Sequence, residues 1–229
     1  MDTSKMSASL SENMEYLNKY LSVNTNFDVI YRVIKIGGRE ACMYLIDGFC
    51  KDDLMQKILQ YLTTIKEEEM PKDAHELSKI NLPYVEVNLQ DQWDQITYFI
   101  MSGVFALLID GYDKCLLIDA RTYPSRGVEE PEKDKVLRGS KDGFVETVVF
   151  NTALIRRRIR SQYLRMEMHH AGKSSQTDIV LCYMENRVDH SFLNHIKERI
   201  KQIQVDALTM NQESLAECLY EKKWYNPFP

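Results

Sequence analysis

Residues 27–46 read FDVIYRVIKIGGREACMYLI. Phe27 to Ile36 alternates and is rich in β-branched and aromatic side chains, and Ala41 to Ile46 resumes the apolar run. Gly37-Gly38 between them supplies the backbone freedom of a tight turn, so the stretch predicts a β-hairpin. A hairpin this apolar must be covered by other elements before it can fold. The chain therefore has to supply helices that lie on it.

The flanking segments supply them. Ser11 to Leu21 predicts a helix with Met14, Leu17 and Leu21 on one face. Lys51 to Ile65 predicts a second, with Leu54, Ile58, Leu62 and Ile65 as its apolar stripe. Residues 67–81 are polar and loop-like, with part of them helical. Leu82 to Leu89 predicts a strand, and Gln92 to Met101 a helix opened by Asp91. Val104 to Ile109, the Asp110-Gly111 turn and Lys114 to Ala120 make a second hairpin.

Residues 121–143, with two prolines, three glycines and dense mixed charge, predict a linker. Beyond it the pattern predicts a helix over 144–161 and a strand pair, Tyr163 to His169 and Thr177 to Met184. A helix (Ser191 to Ile203), a short strand (Val205 to Met210) and a last helix (Ser214 to Lys222) follow. The order hairpin, helix, strand, helix thus occurs twice. The expected fold is α/β (α+β) in two small subdomains, 1–120 and 144–229, each a mixed sheet of hairpin and single strands covered by helices.

Charge narrows the function classes. With 29 basic and 34 acidic side chains the net charge is −5, which opposes a broad attraction to nucleic acid or anionic lipid. The longest apolar stretch, Ile100 to Ile109, is far short of the ~20 residues a bilayer demands. The N-terminus lacks the apolar core of a secretory signal. Read by itself, the chain is expected to be soluble. Cys42, Cys50, Cys115, Cys182 and Cys218 are odd in number, widely spaced and without a C-x-x-C pair, which predicts buried free thiols and no metal site.

The basic end of residues 138–161, RGSKDGFVETVVFNTALIRRRIRS, is the strongest local feature. As a helix, it places Phe144, Val148, Ile155 and Ile159 on a buried stripe. Asp142 and Glu146 fall at the positive end of its dipole, and Arg156, Arg157, Arg158 and Arg160 at the negative end. Four arginines exceed what a helix terminus uses, and consecutive ones point ~100° apart. Some of them are expected to reach neighbouring elements or another chain, with Glu129, Glu130, Glu132 and Asp134 of the linker as candidate partners within the chain. No aromatic residues interleave them, so nucleic acid is not expected.

His169-His170 with Gly172-Lys173-Ser174 suggests a phosphate loop, but Glu167 stands where that motif needs a glycine and the segment joins two strands. A polar hairpin turn is the expectation. No nucleophile, base and orienter form a recognisable set, and neither catalysis nor a cofactor is predicted. The C-terminal LYEKKWYNPFP carries Trp and Tyr beside lysines, a composition favoured at a membrane boundary and equally suited to an aromatic tail that packs down a final helix.

RGSKDGFVE followed by NTALIRRRIR resembles the signature of the GerA family of spore germination membrane proteins. FDVIYRVIKIGGREACMYLIDGFCKDDLMQKIL resembles the start of that family's soluble N-terminal region, and KKWYNPFP the point before its first membrane segments. The matching positions are Arg138, Gly143, Phe144, Glu146, Asn151, Leu154, Ile155, Arg156, Arg157 and Arg158. Gly139-Ser140-Lys141-Asp142 and IDGFCKDD are more similar to the stage V sporulation protein AF branch than to a germinant receptor A subunit.

The resemblance implies two α/β subdomains on the core-facing side of the spore inner membrane. It implies a subunit of an oligomeric, ion-conducting germination complex, partnered by itself and by other germination membrane proteins. It implies no enzymatic activity. Arg138, Glu146 and the Arg156–Arg160 helix end are expected to support the subdomain junction or a subunit contact. The alternative is a small-ligand (germinant) module with its site between the subdomains.

Overall fold

The structure, a computed structural model, describes residues 4–79, 86–122, 143–208 and 212–220. It divides into two compact units, Met1–Gln162 and Tyr163–Pro229.

In the first unit, α1 (Leu10–Tyr20) precedes the predicted hairpin, β1 (Val29–Ile36) and β2 (Arg39–Ile46). Then come α2 (Asp52–Thr64), a short 3-10 turn (Glu67–Glu69), α3 (Ala74–Lys79), β3 (Val87–Gln90) and α4 (Trp93–Met101). The second hairpin, β4 (Phe105–Ile109) and β5 (Cys115–Ile118), is followed by α5 (Val148–Arg158). One sheet runs in the order β1-β2-β4-β5-β3, and every neighbouring pair is antiparallel. Ala41 lies opposite Ile109 in the central ladder, and Ile118 is flanked by Phe105 on one side and Val87 on the other.

β4, β5 and the Ala41–Ile46 stretch of β2 are buried at every position because both faces are covered. Successive residues of a strand point to opposite faces. Cys42, Tyr44, Ile46, Ala106, Leu108 and Leu117 enter one core with Leu10 and Leu17 of α1 and Ile96 and Ile100 of α4. Met43, Leu45, Phe105, Leu107, Leu116 and Ile118 enter the other with Ile58 and Leu62 of α2 and Leu77 of α3. The predicted stripes of α1 and α2 are the faces that seat these helices. Asp91 does not cap α4: the N-cap is Gln92, and the Asp91 carboxylate takes the Lys5 ammonium at 3.0 Å. Asp110, in the second hairpin turn, accepts the Leu10 amide at 3.1 Å and so secures the start of α1.

The second unit is smaller. β6 (Leu164–Ala171) and β7 (Thr177–Met184) form an antiparallel hairpin, followed by α6 (His190–Lys201) and α7 (Gln212–Leu219). Asp189 caps α6, its carboxylate accepting from the amides of Ser191 and Phe192. Ala171, Ile179, Ile200 and Leu208 are the buried core, with Leu181, Ile196 and Leu215 packed around them. The predicted strand at Val205 to Met210 is not formed over its described residues, 205–208. That segment is held by the hairpin tip instead, through Lys173 N–H to Val205 O and Ser174 N–H to Asp206 O.

The α+β expectation holds, and the units divide elsewhere than predicted. The sequence suggested that a second subdomain opens at residue 144, whereas α5 lies in the first unit. Linker residues 123–142, with Arg138 and the acidic candidates Glu129, Glu130, Glu132 and Asp134, lie outside the described residues, as does the aromatic end from 221 onward.

Candidate functional site

Helix α5 is seated by Asn151 and by one of its arginines, Arg156, in a way its sequence did not announce. Asn151, its fourth residue, turns back on the incoming chain: its side-chain amide donates to Val145 O at 2.7 Å and its oxygen accepts the Val145 amide at 2.8 Å. Residues 144–147 are therefore not helical, and the helix begins at Val148. The stripe predicted through Phe144, Val148, Ile155 and Ile159 assumed helix from 144, so it is displaced. Phe144 and Ile159 are exposed, and the buried residues are Thr152, Ala153 and Arg156. Glu146 is exposed and precedes the N-cap Thr147, and Gly143 lies further outside the helix.

Arg156 is 0% exposed, and its partner is Asp28, 2% exposed, just before β1. Nε donates to Asp28 Oδ2 and Nη2 to Oδ1, both at 2.8 Å, while Nη1 lies 3.9 Å from Met101 Sδ. Two parallel charge-assisted bonds are the geometry that the planar guanidinium matches best. They offset a desolvation cost of several kcal/mol per ion, which is why removing one partner of such a pair typically costs about 3–5 kcal/mol.

The seat around this pair is built from turns. Asp28 O accepts the Asp47 amide at 2.8 Å. Gly48 follows with φ +79°, and a Cβ there would stand 3.2 Å from Ala153 Cβ and 3.3 Å from Val149 Cγ1. Small residues on both sides let α5 come close to the turn after β2. Phe49 is fully buried, and Gly103 (φ +89°) leaves room for its ring, since a Cβ would approach it to 2.9 Å. Burial pushes the Asp47 carboxyl above its ordinary value against the Gly48 N–H, and neighbouring Asp28 and Asp52 add to the rise.

Arg157, Arg158 and Arg160 are exposed and do not share the burial of Arg156. Of the predicted set, then, Asn151 and Arg156 form the seat of α5, while Arg138 lies outside the described residues. Asp28, Gly48 and Gly103 are contributors that the pattern missed. A single aspartate inside an apolar strand segment, FDVIYRV, was the available signal for the first.

The histidine-bearing hairpin is a turn, as expected. The Lys173 and Ser174 amides, which a phosphate loop would offer to its ligand, are spent on Val205 and Asp206. His170 Nδ1 lies 2.9 Å from Asp178 Oδ1 on an exposed edge. On the other face, Glu167 accepts from Tyr183 Oη and from Lys197 Nζ at 2.8 Å, with His169 Nε2 3.4 Å away. Burial raises the Glu167 carboxyl, but the Lys197 and Tyr183 hydrogen bonds and the Lys197 charge together hold it below its ordinary value. Burial and the Glu167 carboxylate push the Tyr183 phenol up.

A cavity of about 480 Å³ lies in the first unit, with Phe99, Val104 and Leu117 as its apolar wall and Asn88, Asp119 and Arg121 at its polar side. Arg121 Nε donates to Asp119 at 2.8 Å, and that bond holds the carboxyl below its ordinary value. The two charges thus neutralise each other. The thiols differ among themselves: Cys42 and Cys115 are buried, Cys50 and Cys218 half-buried, and Cys182 is exposed, against the expectation of burial throughout.

The two-unit α+β architecture is that of a class of protein with known members. The model of the Bacillus/Clostridium GerA spore germination protein family matches residues 15–229, and the chain belongs to that family. Stage V sporulation protein AF of Bacillus subtilis (strain 168) is 34% identical over 220 residues, 96% of this chain and 44% of that protein. Spore germination protein KA of the same organism is 28% identical over 231 residues, 98% of this chain and 41% of that protein. A membrane protein of that organism, YfkQ, is 30% identical over 98% of this chain and 43% of its own length. The chain thus spans less than half the length of these curated relatives.

In structure it is similar to the N-terminal domain of the A subunit of the Bacillus megaterium spore germinant receptor GerK3. The TM-score is 0.71 at 24% identity, covering 98% of this chain and 84% of that one. Among the described residues, no helix is long and apolar enough to cross a membrane.

Proposed function

We propose that this chain is the N-terminal part of a GerA-family germination membrane protein and serves the assembly and coupling of an oligomeric, ion-conducting complex in the spore inner membrane. The observation that carries the reading is the Asp28–Arg156 clamp. It ties α5, the last helix of the first unit, to the base of β1 with a buried charge pair. A helix fastened this way is a rigid end from which the chain continues into the second unit and onward. Buried ion pairs contribute little net stability compared with apolar packing, but they are intolerant of misplacement, which suits a joint that must keep one register.

The test uses the full-length protein with its natural downstream sequence. Arg156→Glu sets two carboxylates against each other and is expected to abolish germination-linked ion release. The swap Asp28→Arg with Arg156→Asp restores opposite charges and is expected to recover part of it. Normal ion release by Arg156→Glu at wild-type protein levels would overturn the reading. Arg157→Glu with Arg158→Glu is expected to have a smaller effect, because those side chains reach solvent.

A further inference from the structure

β3 and β5 carry an unbalanced charge where their ladder ends. Their register pairs Val87 with Ile118 and Asn88 with Leu117, and the Asp119 amide donates to Glu86 O at 2.9 Å. One step further along that register Glu86 stands opposite Asp119, and alternation puts Asn88 and Leu117 on the same face as both. Two carboxylates directly opposite each other repel. Arg121 relieves one of them, since its Nε and Nη2 both bond the Asp119 carboxylate. Among the described residues, the Glu86 carboxylate and the Asn88 side-chain amide have no ion-pair or hydrogen-bond partner.

These side chains rim the cavity of about 480 Å³, whose floor is Phe99, Val104 and Leu117. Val104 and Leu117 are buried in the core, and α4 ends beside them at Met101. The volume falls within the ~300–1,000 Å³ of small-molecule sites, and an apolar floor under a few polar groups is their usual make-up. Charge then selects the ligand. Arg121 is spent on Asp119, so an entering anion would meet the Glu86 carboxylate. The C-terminal end of α4 carries the negative pole of its dipole, which also favours a cation. A bare metal ion does not suit the site: among the described residues no three metal-ligating side chains converge, and the floor is hydrocarbon.

We propose that this cavity binds a small organic cation, a protonated primary amine on a compact apolar body. The ammonium sits at the rim, donating to the Glu86 carboxylate and to Asn88 Oδ1, and the body lies on Phe99, Val104 and Leu117. An ammonium offers three N–H groups and no acceptor, which suits the oxygens of these two side chains. Every one of these lining residues belongs to the first unit. The inference goes beyond the assembly reading and uses neither Asp28 nor Arg156, so each can fail without the other.

The test titrates this chain, isotopically labelled, with 3-methylbutylamine at pH 7 and constant ionic strength, following the backbone amides by NMR. An alkylamine has a pKa close to that of lysine, ~10.4, and is charged there. Saturable shifts are expected at residues 86–88, 99–104 and 117–121. 3-Methylbutan-1-ol, 3-methylbutanoate and leucine keep the same branched body and change the charge, and each is expected to bind at least tenfold more weakly. Glu86→Gln is expected to weaken the amine at least tenfold while its thermal midpoint stays level or rises, because a like-charge contact is removed. The proposal is overturned by the absence of saturable shifts with the amine, by equal binding of the alcohol, the acid or leucine, or by undiminished binding to Glu86→Gln.

Discussion

Each unit carries an acid–base pair on its sheet, and the two pairs sit at different depths. Asp28 and Arg156 are 2% and 0% exposed and meet through two bonds of 2.8 Å. Glu167 and Lys197 are 16% and 22% exposed by side chain, with Tyr183 and His169 beside them. The first unit buries its pair because a five-stranded sheet with helices on both faces has an interior deep enough to exclude water. The second has a two-stranded hairpin and a smaller core, in which Ala171, Ile179, Ile200 and Leu208 form the buried cluster, so its charges stay near solvent. Fold size decides how an ion pair behaves: deep, it is a lock that fails when halved; near the surface, it is one modest contact among several.

The sharpest way to break this contrast is to cut each pair once. Arg156→Ala should destabilise the first unit by about 3–5 kcal/mol, whereas Lys197→Ala should cost the second roughly 1 kcal/mol. Urea unfolding followed by Trp93 fluorescence, in a Trp224→Phe background, reads the first unit; far-ultraviolet circular dichroism reads both. Similar costs would end the distinction. Asp28→Leu with Arg156→Met should recover most of the loss, since an apolar replacement removes both desolvation costs together.

Gly48→Ala probes the same seat through the backbone. The positive φ and the 3.2 Å approach to Ala153 both resist a side chain, so the substitution should cost roughly 1–2 kcal/mol. A thermal midpoint unchanged from the wild type would show that α5 does not press on the turn.

Asn151→Ala should cost about 1 kcal/mol by releasing both bonds to Val145. Asn13 offers a control within the same unit. It too is the fourth residue of its helix, and it bonds the Ser7 amide and carbonyl at 3.0 and 2.7 Å. Asn13→Ala should match it, and a much larger loss at Asn151 would mean that the start of α5 bears more strain than that of α1.

The smallest effect is the pH dependence of the second unit. The Glu167 carboxyl is held below its ordinary value of 4.5 in the folded chain, so the folded state binds a proton less readily than the unfolded one. Its contribution is fully present above that ordinary value and is lost as pH falls through the lower folded value. Between pH 7 and pH 3 the wild type should therefore lose more stability than Glu167→Gln, read by urea unfolding at the two pH values. The Asp47 carboxyl has the opposite sign. Its raised folded value makes the native state hold the proton longer, so it adds stability at acid pH and costs stability as pH rises through that value.

Much of the fold was legible because local pattern and burial agree. The Gly37-Gly38 hairpin, the stripes of α1 and α2 and the Asp110-Gly111 hairpin all follow from side-chain period and turn chemistry. The strand expected at 205–210 is not formed over 205–208, because an apolar alternation cannot say whether a neighbouring strand is available, and the hairpin tip took the carbonyls of Val205 and Asp206 instead. The family was also legible, since residues 138–161 carry its signature and the family match spans 15–229.

The primary structure on its own specified the elements, the class and the family, because those depend on period, composition and motif, which are properties of neighbouring residues. It pointed to four arginines without distinguishing among them. Only the tertiary fold could single out Arg156, because its role depends on Asp28, 128 positions away in the chain, and on turns at Gly48 and Gly103 that shape the seat. A charge becomes a lock only where water is excluded, and that exclusion is created by the packed sheet and helices, not by the run of residues in which the charge occurs.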